Sequence, residues 1–188
     1  MALETPTLHT DRLVLRPLAE SDTDALWALH TDRHVLRYWD EPPWMERSRA
    51  LQLVTRSRQR AADGSGVRVA VAWRDADECV GWVALLRWNP DFRSAAIGLI
   101  FGQSAWGQGV ATEAARALLG WAYGTLDLNR VQAEVDTRNV ACARVLEKLG
   151  FVREGTMRQD CIVEGVVSDS WVYGLLGSDW EAAEDGRA

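Results

Sequence analysis

The segments SAAIGLIF (residues 94–101) and WGQGVATEA (residues 106–114) stand four residues apart near the middle of the 188-residue chain. The first segment is short and apolar, which predicts a strand. The second passes into strong helix formers and predicts a helix from Val110 to about Gly124. Between them, Gly107 and Gly109 allow positive φ and close backbone approach. The unit therefore predicts a strand, a tight turn and a helix whose first N–H groups can hold a diphosphate.

The spacing of these glycines excludes two familiar nucleotide-binding turns. Thr112 occupies the position of the third glycine in a GxGxxG motif, and no Lys-Ser or Lys-Thr pair of a Walker loop follows. A Gly-x-Gly turn before a helix is also compatible with a tight connection that binds no ligand. Taken alone, the turn leaves both interpretations open.

A second informative segment is NVACARVLEKLGF, residues 139–151. It follows a predicted strand, Arg130 to Asp136, and its pattern predicts a short helix that ends at Gly150. Asn139 stands at the helix start and has two interpretations. Its side chain either caps the helix or hydrogen-bonds the amides of a bound pantetheine arm.

The rest of the chain supplies strands and helices around these two segments. A strand is predicted from Leu13 to Leu18, a hairpin from residues 67–73 and 79–88, and a closing antiparallel pair from residues 151–161 and 168–176. Helices are predicted around Leu26 to Leu29, over residues 35–39 and over residues 44–62. We expect one domain over residues 1–180 and a polar, frayed tail over residues 181–188.

Composition narrows the class of protein. A formal net charge of −6 argues against nucleic-acid binding and favours a cationic substrate over an anionic one. No apolar stretch approaches the roughly 18 residues that a membrane span needs. The three cysteines, Cys79, Cys142 and Cys161, lack the spacing of a zinc site and are interpreted as reduced thiols. These features predict a cytoplasmic protein without a metal.

Together the two segments resemble the GNAT superfamily of acyl-CoA N-acyltransferases, in particular the ribosomal-protein N-terminal acetyltransferases of the RimJ/RimL type. Gly109 and Ala111 match the family's Gly-x-[Gly/Ala] signature, whereas Trp106 departs from the usual Gln or Arg. Residues 139–151 are similar to the branch's Asn-x-Ala-Ser-x-Arg-Val-Leu-Glu-Lys-Leu-Gly-Phe segment, with Cys142 in the place of Ser. TDRLVLR, residues 10–16, resembles the branch's opening strand.

The resemblance implies an α/β (α+β) GNAT fold: a central mixed, mostly antiparallel, twisted sheet of about seven strands, flanked by helices. The fourth and fifth strands splay apart, and acetyl-CoA, the acyl donor, enters between them. Backbone groups of one strand would pair with the pantetheine, and the glycine turn would hold the pyrophosphate. Arg144 is equally well interpreted as a solvated surface residue. The implied CoA-binding residues are Leu99, Ile100, Phe101, Gly107, Gln108, Gly109, Val110, Ala111, Thr112, Asn139 and Arg144.

Glu134 is the candidate general base, because it lies five residues before Asn139 at the offset where some relatives place a base. The alternative is an ordinary surface ion pair. Many relatives use a Tyr as the acid, but Leu146 occupies that position here. Cys142 is the remaining candidate donor for the leaving sulfur, with a packing role as the alternative.

Acceptor recognition is expected from two regions. Tyr38, Trp39 and Trp44 flank the acidic loop at residues 40–43, and Asp169 would contribute from the late hairpin. Aromatic walls beside carboxylates suit an amine, although a surface loop packed by its indoles fits the same pattern. The predicted activity is N-acetyltransfer to a protein or peptide N-terminal amine. A small-molecule amine and a non-catalytic acyl-CoA sensor are the alternatives, and a homodimer is expected.

Overall fold

The computed structural model describes residues 2–186, within which eight strands form one sheet flanked by five helices. The strands are β1 (Leu8–His9), β2 (Leu13–Pro17), β3 (Gly66–Trp73), β4 (Cys79–Asn89), β5 (Ser94–Phe101), β6 (Arg130–Asp136), β7 (Val152–Val163) and β8 (Val166–Leu176). The helices are α1 (Thr23–Thr31), α2 (Ser48–Asp63), α3 (Val110–Leu126), α4 (Val140–Lys148) and α5 (Gly177–Asp185).

The strand order is β1-β2-β3-β4-β5-β6-β8-β7. Every neighbouring pair is antiparallel except β5 with β6, so the predicted mixed, mostly antiparallel sheet is confirmed. The prediction of about seven strands missed β1. That strand has only two residues, which is too few for an alternating pattern to show.

The parallel pair β5–β6 opens into a gap. Its register covers only Ser94 with Arg130, Ala95 with Val131, and Ala96 with Gln132. Beyond these pairs β5 stays bound to β4 as far as Phe101, while β6 stays bound to β8 as far as Asp136. The splayed pair predicted as the fourth and fifth strands is therefore confirmed, and it corresponds to β5 and β6.

The sheet separates two apolar cores. The larger core lies against α3 and α4, and it takes Val131, Ala133 and Val135 from β6. The smaller core lies against α1 and α2, and it includes Trp82 and Ile100. Because successive side chains of a strand point to opposite faces, Glu134 lies on the same side of the sheet as the smaller core.

Helix α3 is anchored by a stripe of small and apolar residues. Ala114, Ala115, Leu118, Leu119 and Ala122 are all fully buried. Their spacing places them on one face of the helix, against the sheet. Burial of each Leu contributes about 1.5–3 kcal/mol relative to exposure. This packing holds the first turn of α3 at the open end of the β5–β6 gap.

Three local predictions differ from the structure. Residues 35–39 form turns rather than a helix, because Asp32 accepts the N–H groups of His34 and Val35 and the prolines at 42 and 43 prevent continuation. Helix α2 begins at Ser48 rather than at residue 44. The expected frayed tail is helical as far as Asp185, and residues 187–188 lie outside the described part.

Candidate active site

The glycine turn takes the backbone conformation that its sequence predicts. Gly107 and Gly109 have φ values of 72° and 79°, and Gly109 is the N-cap of α3. A Cβ added at Gly107 would meet no heavy atom within 4 Å, so the requirement there is conformational and not steric. In the left-handed region an L-residue with a side chain costs about 1–2 kcal/mol.

The turn presents a row of free donors. In the described chain, the backbone N–H groups from Gly107 to Thr112 form no hydrogen bond to any protein group. Those at the start of α3 lack intrahelical acceptors by geometry, and the helix dipole adds partial positive charge. A pyrophosphate fits such a cradle, since it supplies the acceptors and the negative charge that the turn lacks.

An ion pair holds the turn from behind. Arg12 donates from Nη2 to the carbonyl oxygen of Gln108 at 3.0 Å and from Nε to Oε2 of Glu113 at 2.9 Å. Thr10 donates to Oε1 of Glu113 at 2.6 Å. Desolvation opposes ionisation of Glu113, but the bonds from Thr10 and Arg12 outweigh it and lower its pKa. Sequence reasoning missed this support; the resemblance of residues 10–16 to the opening strand was its only signal.

Two side chains join the turn to the end of β5. The indole N–H of Trp106 donates to the carbonyl oxygen of Phe101 at 2.8 Å. The side-chain amide of Gln108 donates to the carbonyl oxygen of Ser104 at 2.5 Å. Leu99, Ile100 and Phe101 lie beyond the last β5–β6 pair, so this part of β5 borders the gap. The strand edge and the donor row therefore form one continuous surface.

Helix α4 begins on the other side of the gap. Asn139 accepts the backbone N–H of Cys142 through Oδ1 at 3.1 Å, which is the capping interpretation. Burial raises the pKa of the Cys142 thiol to about 11, so the thiol is protonated at neutral pH. Arg144 is exposed on the same helix.

Glu134 lies in an ion pair rather than in an apolar pocket. Its Oε1 accepts from Arg87 Nη2 at 3.1 Å and from Gln132 Nε2 at 2.9 Å. Its side chain keeps 36% of its exposure. Arg87 reaches it from β4, where the register with β5 is irregular and Arg87 has a φ of 54°. The ion pair that the sequence left open as the alternative is therefore present, and its partner Arg87 is a site residue that no local sequence signal marks.

A cleft of about 240 Å³ lies beside the end of β6. Its walls come from residues 33–43, from the Asp136 and Arg138 region, and from the β7–β8 hairpin. Tyr38 and Trp39, two of the residues expected to bind the acceptor, are in its lining. Burial raises the pKa of the Asp40 carboxyl group, and the negative charges of Glu41 and Glu134 add to this effect.

Two of the predicted acceptor-binding residues do not line this cleft. Trp44 is only 6% exposed, and its ring stacks on His30 with a centroid distance of 4.0 Å. The apolar indole of Trp44 therefore belongs to the buried core and not to the wall of the cleft. Asp169 accepts the backbone N–H of Gln159 at 2.8 Å and thereby fixes an irregularity between β7 and β8.

Across residues 2–186, no group of three His, Cys, Asp or Glu side chains is arranged to hold a metal ion. No helix in that part of the chain has the length and hydropathy needed to cross a membrane.

Comparison with known proteins agrees with this geometry. The acetyltransferase (GNAT) domain family matches residues 12–152. An uncharacterized N-acetyltransferase, p20 of Bacillus licheniformis, is 28% identical over 174 residues, covering 93% of this chain and 98% of its own. A putative ribosomal N-acetyltransferase, YdaF of Bacillus subtilis, is 32% identical over 66% of this chain and 67% of its own.

A solved structure shows the same fold. Spermidine N-acetyltransferase from Vibrio cholerae, in complex with CoA and spermine, superposes with a TM-score of 0.81 at 24% identity. The match covers 92% of this chain and 99% of that one. The names of these similar proteins refer to different acceptors, a ribosomal one and a polyamine.

Proposed function

The chain belongs to the acetyltransferase (GNAT) family and uses acetyl-CoA, and on that premise we propose that it acetylates the N-terminal amine of a protein or peptide at the β5–β6 gap. The observation that carries the proposal is the end of β5–β6 pairing at Ala96 and Gln132, next to the free N–H groups of the glycine turn. We further infer membership of the ribosomal-protein branch, a cytoplasmic location and a homodimer.

The gap and the turn together suit the shape of acetyl-CoA. An extended pantetheine arm can pair with the free edge of β5 from Leu99 to Phe101, as an added strand would. The pyrophosphate then lies on the N–H groups of Gly107 to Thr112. On the far side of the gap, Asn139 and Arg144 of the α4 segment are the remaining candidates for contacts to the donor.

Glu134 is the proposed general base. The acceptor arrives mainly as an ammonium, and a nearby carboxylate can accept the proton directly or through water. The present partner of Glu134 is Arg87, at 3.1 Å. An acceptor ammonium that approaches Glu134 competes with that guanidinium for the same oxygen. The negative charge of Asp40 acts on Glu134 and also favours a cationic acceptor.

The reaction balances without a cofactor other than the donor. The amine nitrogen forms a bond to the thioester carbonyl carbon, and the bond between that carbon and sulfur breaks. The nitrogen loses one proton and the leaving thiolate gains one, so the overall number of protons is unchanged. A free thiol has a pKa of roughly 8.5. Because the pKa of Cys142 is about 11, full proton transfer from it to the leaving thiolate is unfavourable. We assign Cys142 a hydrogen bond to that sulfur instead.

A thiol-release assay with acetyl-CoA tests the proposal. Wild-type protein is expected to acetylate short peptides with a free N-terminus, and Glu134→Gln should lower kcat by about 10²- to 10⁴-fold while CoA affinity stays the same. Glu154→Gln is the matched control, since Glu154 of β7 forms a comparable ion pair with Arg130, which lies at the end of β6 that is still paired with β5. An unchanged pH–rate profile in Glu134→Gln removes Glu134 from the mechanism.

A small-molecule amine is the second candidate, because a polyamine acetyltransferase shares the fold. Spermidine therefore belongs in the same assay. Turnover of spermidine with no turnover of any peptide replaces the proposed acceptor. Binding of acetyl-CoA without acetylation of either kind of amine favours a sensor.

A further inference from the structure

The carboxylates that line the cleft beside β6 are already neutralised. Glu164 pairs with Arg33 at 3.3 Å, and Asp136 pairs with Arg138 at 2.6 Å. Glu41 pairs with Arg49 of α2 at 3.0 Å. A polycation entering this cleft would therefore have to displace an arginine at each carboxylate that it met.

Arg37 is the exception among the charged side chains of the cleft. Within residues 2–186 it has no carboxylate within ion-pairing distance, and its guanidinium lies 4.6 Å from the centroid of the Tyr38 ring. The guanidinium of Arg138 lies 5.6 Å from the same ring. The two guanidinium groups thus lie near the same ring, and of the two only that of Arg138 has a carboxylate partner. The cleft carries an uncompensated positive charge at Arg37.

The distance from the reaction centre to this cleft follows from strand geometry. Asp136 lines the cleft and lies two residues beyond Glu134 on the same face of β6. Two residues of a strand span about 6.5–7 Å. An acceptor whose amine lies at Glu134 therefore enters the cleft about two peptide residues from its amino end, since an extended chain advances by roughly 3.3–3.6 Å per residue.

The two ends of this path have opposite charge. At the gap, where the acceptor's ammonium must arrive, Glu134 is paired with Arg87. Asp40 has no ion-pair partner within residues 2–186, so it leaves one negative charge that acts on Glu134. Arg37 lies in the cleft, farther along the acceptor. Such an arrangement attracts a molecule with an amine at one end and a carboxylate a short distance away. It disfavours a polyamine, whose second ammonium would approach the Arg37 guanidinium.

We propose that the acceptor is a peptide with an acidic side chain at its second or third residue, and that Arg37 binds that carboxylate. The inference rests on the proposed function and specifies its substrate class. Guanidinium pairs with carboxylate through two parallel hydrogen bonds, which gives both orientation and discrimination. The Tyr38 ring, whose centroid lies 4.6 Å from the guanidinium, adds a cation–π contact.

The test compares carboxylates with their neutral amides. C-terminally amidated peptides Ala-Glu-Ala-Ala and Ala-Ala-Glu-Ala are assayed beside their Gln counterparts, free glutamate and spermidine, at low ionic strength. For wild-type protein we expect kcat/KM to favour one Glu peptide over its Gln counterpart by about three- to tenfold, the range for a partly exposed ion pair. Arg37→Gln should reduce that ratio to about one and leave kcat/KM for the Gln peptides unchanged.

Arg56→Gln is the matched control, because Arg56 is an exposed arginine of α2 outside the cleft and should leave the ratio as it is. Equal rates on Glu and Gln peptides, or a preference that survives Arg37→Gln, overturn the inference and leave the proposed function intact. A preference for free glutamate overturns the peptide assignment, and a preference for spermidine overturns the charge argument. If the wild type acetylates none of these amines, the proposed function fails and the inference fails with it.

Discussion

Replacement of Gly109 by Ala isolates the conformational demand of the glycine turn. The built Cβ would lie 3.8 Å from Arg12 Nη2, an ordinary contact, so the change adds no clash. The cost comes from the backbone, since Gly109 has a φ of 79° and Ala in this region is less stable by about 1–2 kcal/mol. Without CoA, the backbone of the turn can rotate out of this conformation and relieve the strain. CoA binding must then restore the strained conformation. We expect the dissociation constant for CoA to rise about 5- to 30-fold.

Isothermal titration of CoA measures this change directly. Gly124→Ala is the matched control, because Gly124 lies in the same helix with no heavy atom within 4 Å of the added Cβ. It should raise stability by up to about 1 kcal/mol through helix propensity and leave CoA affinity unchanged. A dissociation constant for Gly109→Ala within twofold of the wild-type value would refute the role of the turn.

Two further expectations concern the supports of the site. Arg12→Gln removes the ion pair with Glu113 and the hydrogen bond to the Gln108 carbonyl. Because the Arg12 side chain is 44% exposed, we expect a loss of about 1 kcal/mol in binding free energy, seen as a KM for acetyl-CoA about fivefold higher. An unchanged KM would show that the turn is rigid without Arg12. Burial lowers the pKa of His30 from its usual 6.5 to about 4, so the folded state favours the neutral ring. The folded state therefore loses up to about 3 kcal/mol of stability as the pH falls from 6.5 to 4. Urea unfolding at pH 7 and 4.5 should show this loss in the wild type and a smaller one in His30→Gln, and equal losses in the two proteins contradict the assignment.

The sequence predicts elements whose signal is local. The strand Ser94–Phe101 and the strand Arg130–Asp136 have the predicted bounds, and the helix after the glycine turn begins at Val110 as expected. In each case the signal, a regular spacing of apolar residues or a glycine, lies within the element or directly beside it. The gap between β5 and β6 came instead from the family resemblance, because no period within either strand reports how far they pair.

The contacts between distant segments could not be predicted in this way. Arg87 pairs with Glu134 across 47 positions, and Arg12 pairs with Glu113 across 101. A lone arginine in a sequence gives no sign of which carboxylate it will meet. The same limit explains Trp44: an indole beside an acidic loop looks the same in sequence whether it lines a cleft or stacks on a buried His30.

Backbone amide NMR during a CoA titration shows whether acetyl-CoA occupies the β5–β6 gap with its pyrophosphate on the glycine turn. We expect the largest shifts on Gly107 to Thr112, a second group at Leu99 to Phe101, and small changes along β7. Saturable binding whose shifts avoid both segments and cluster elsewhere on the sheet would contradict it.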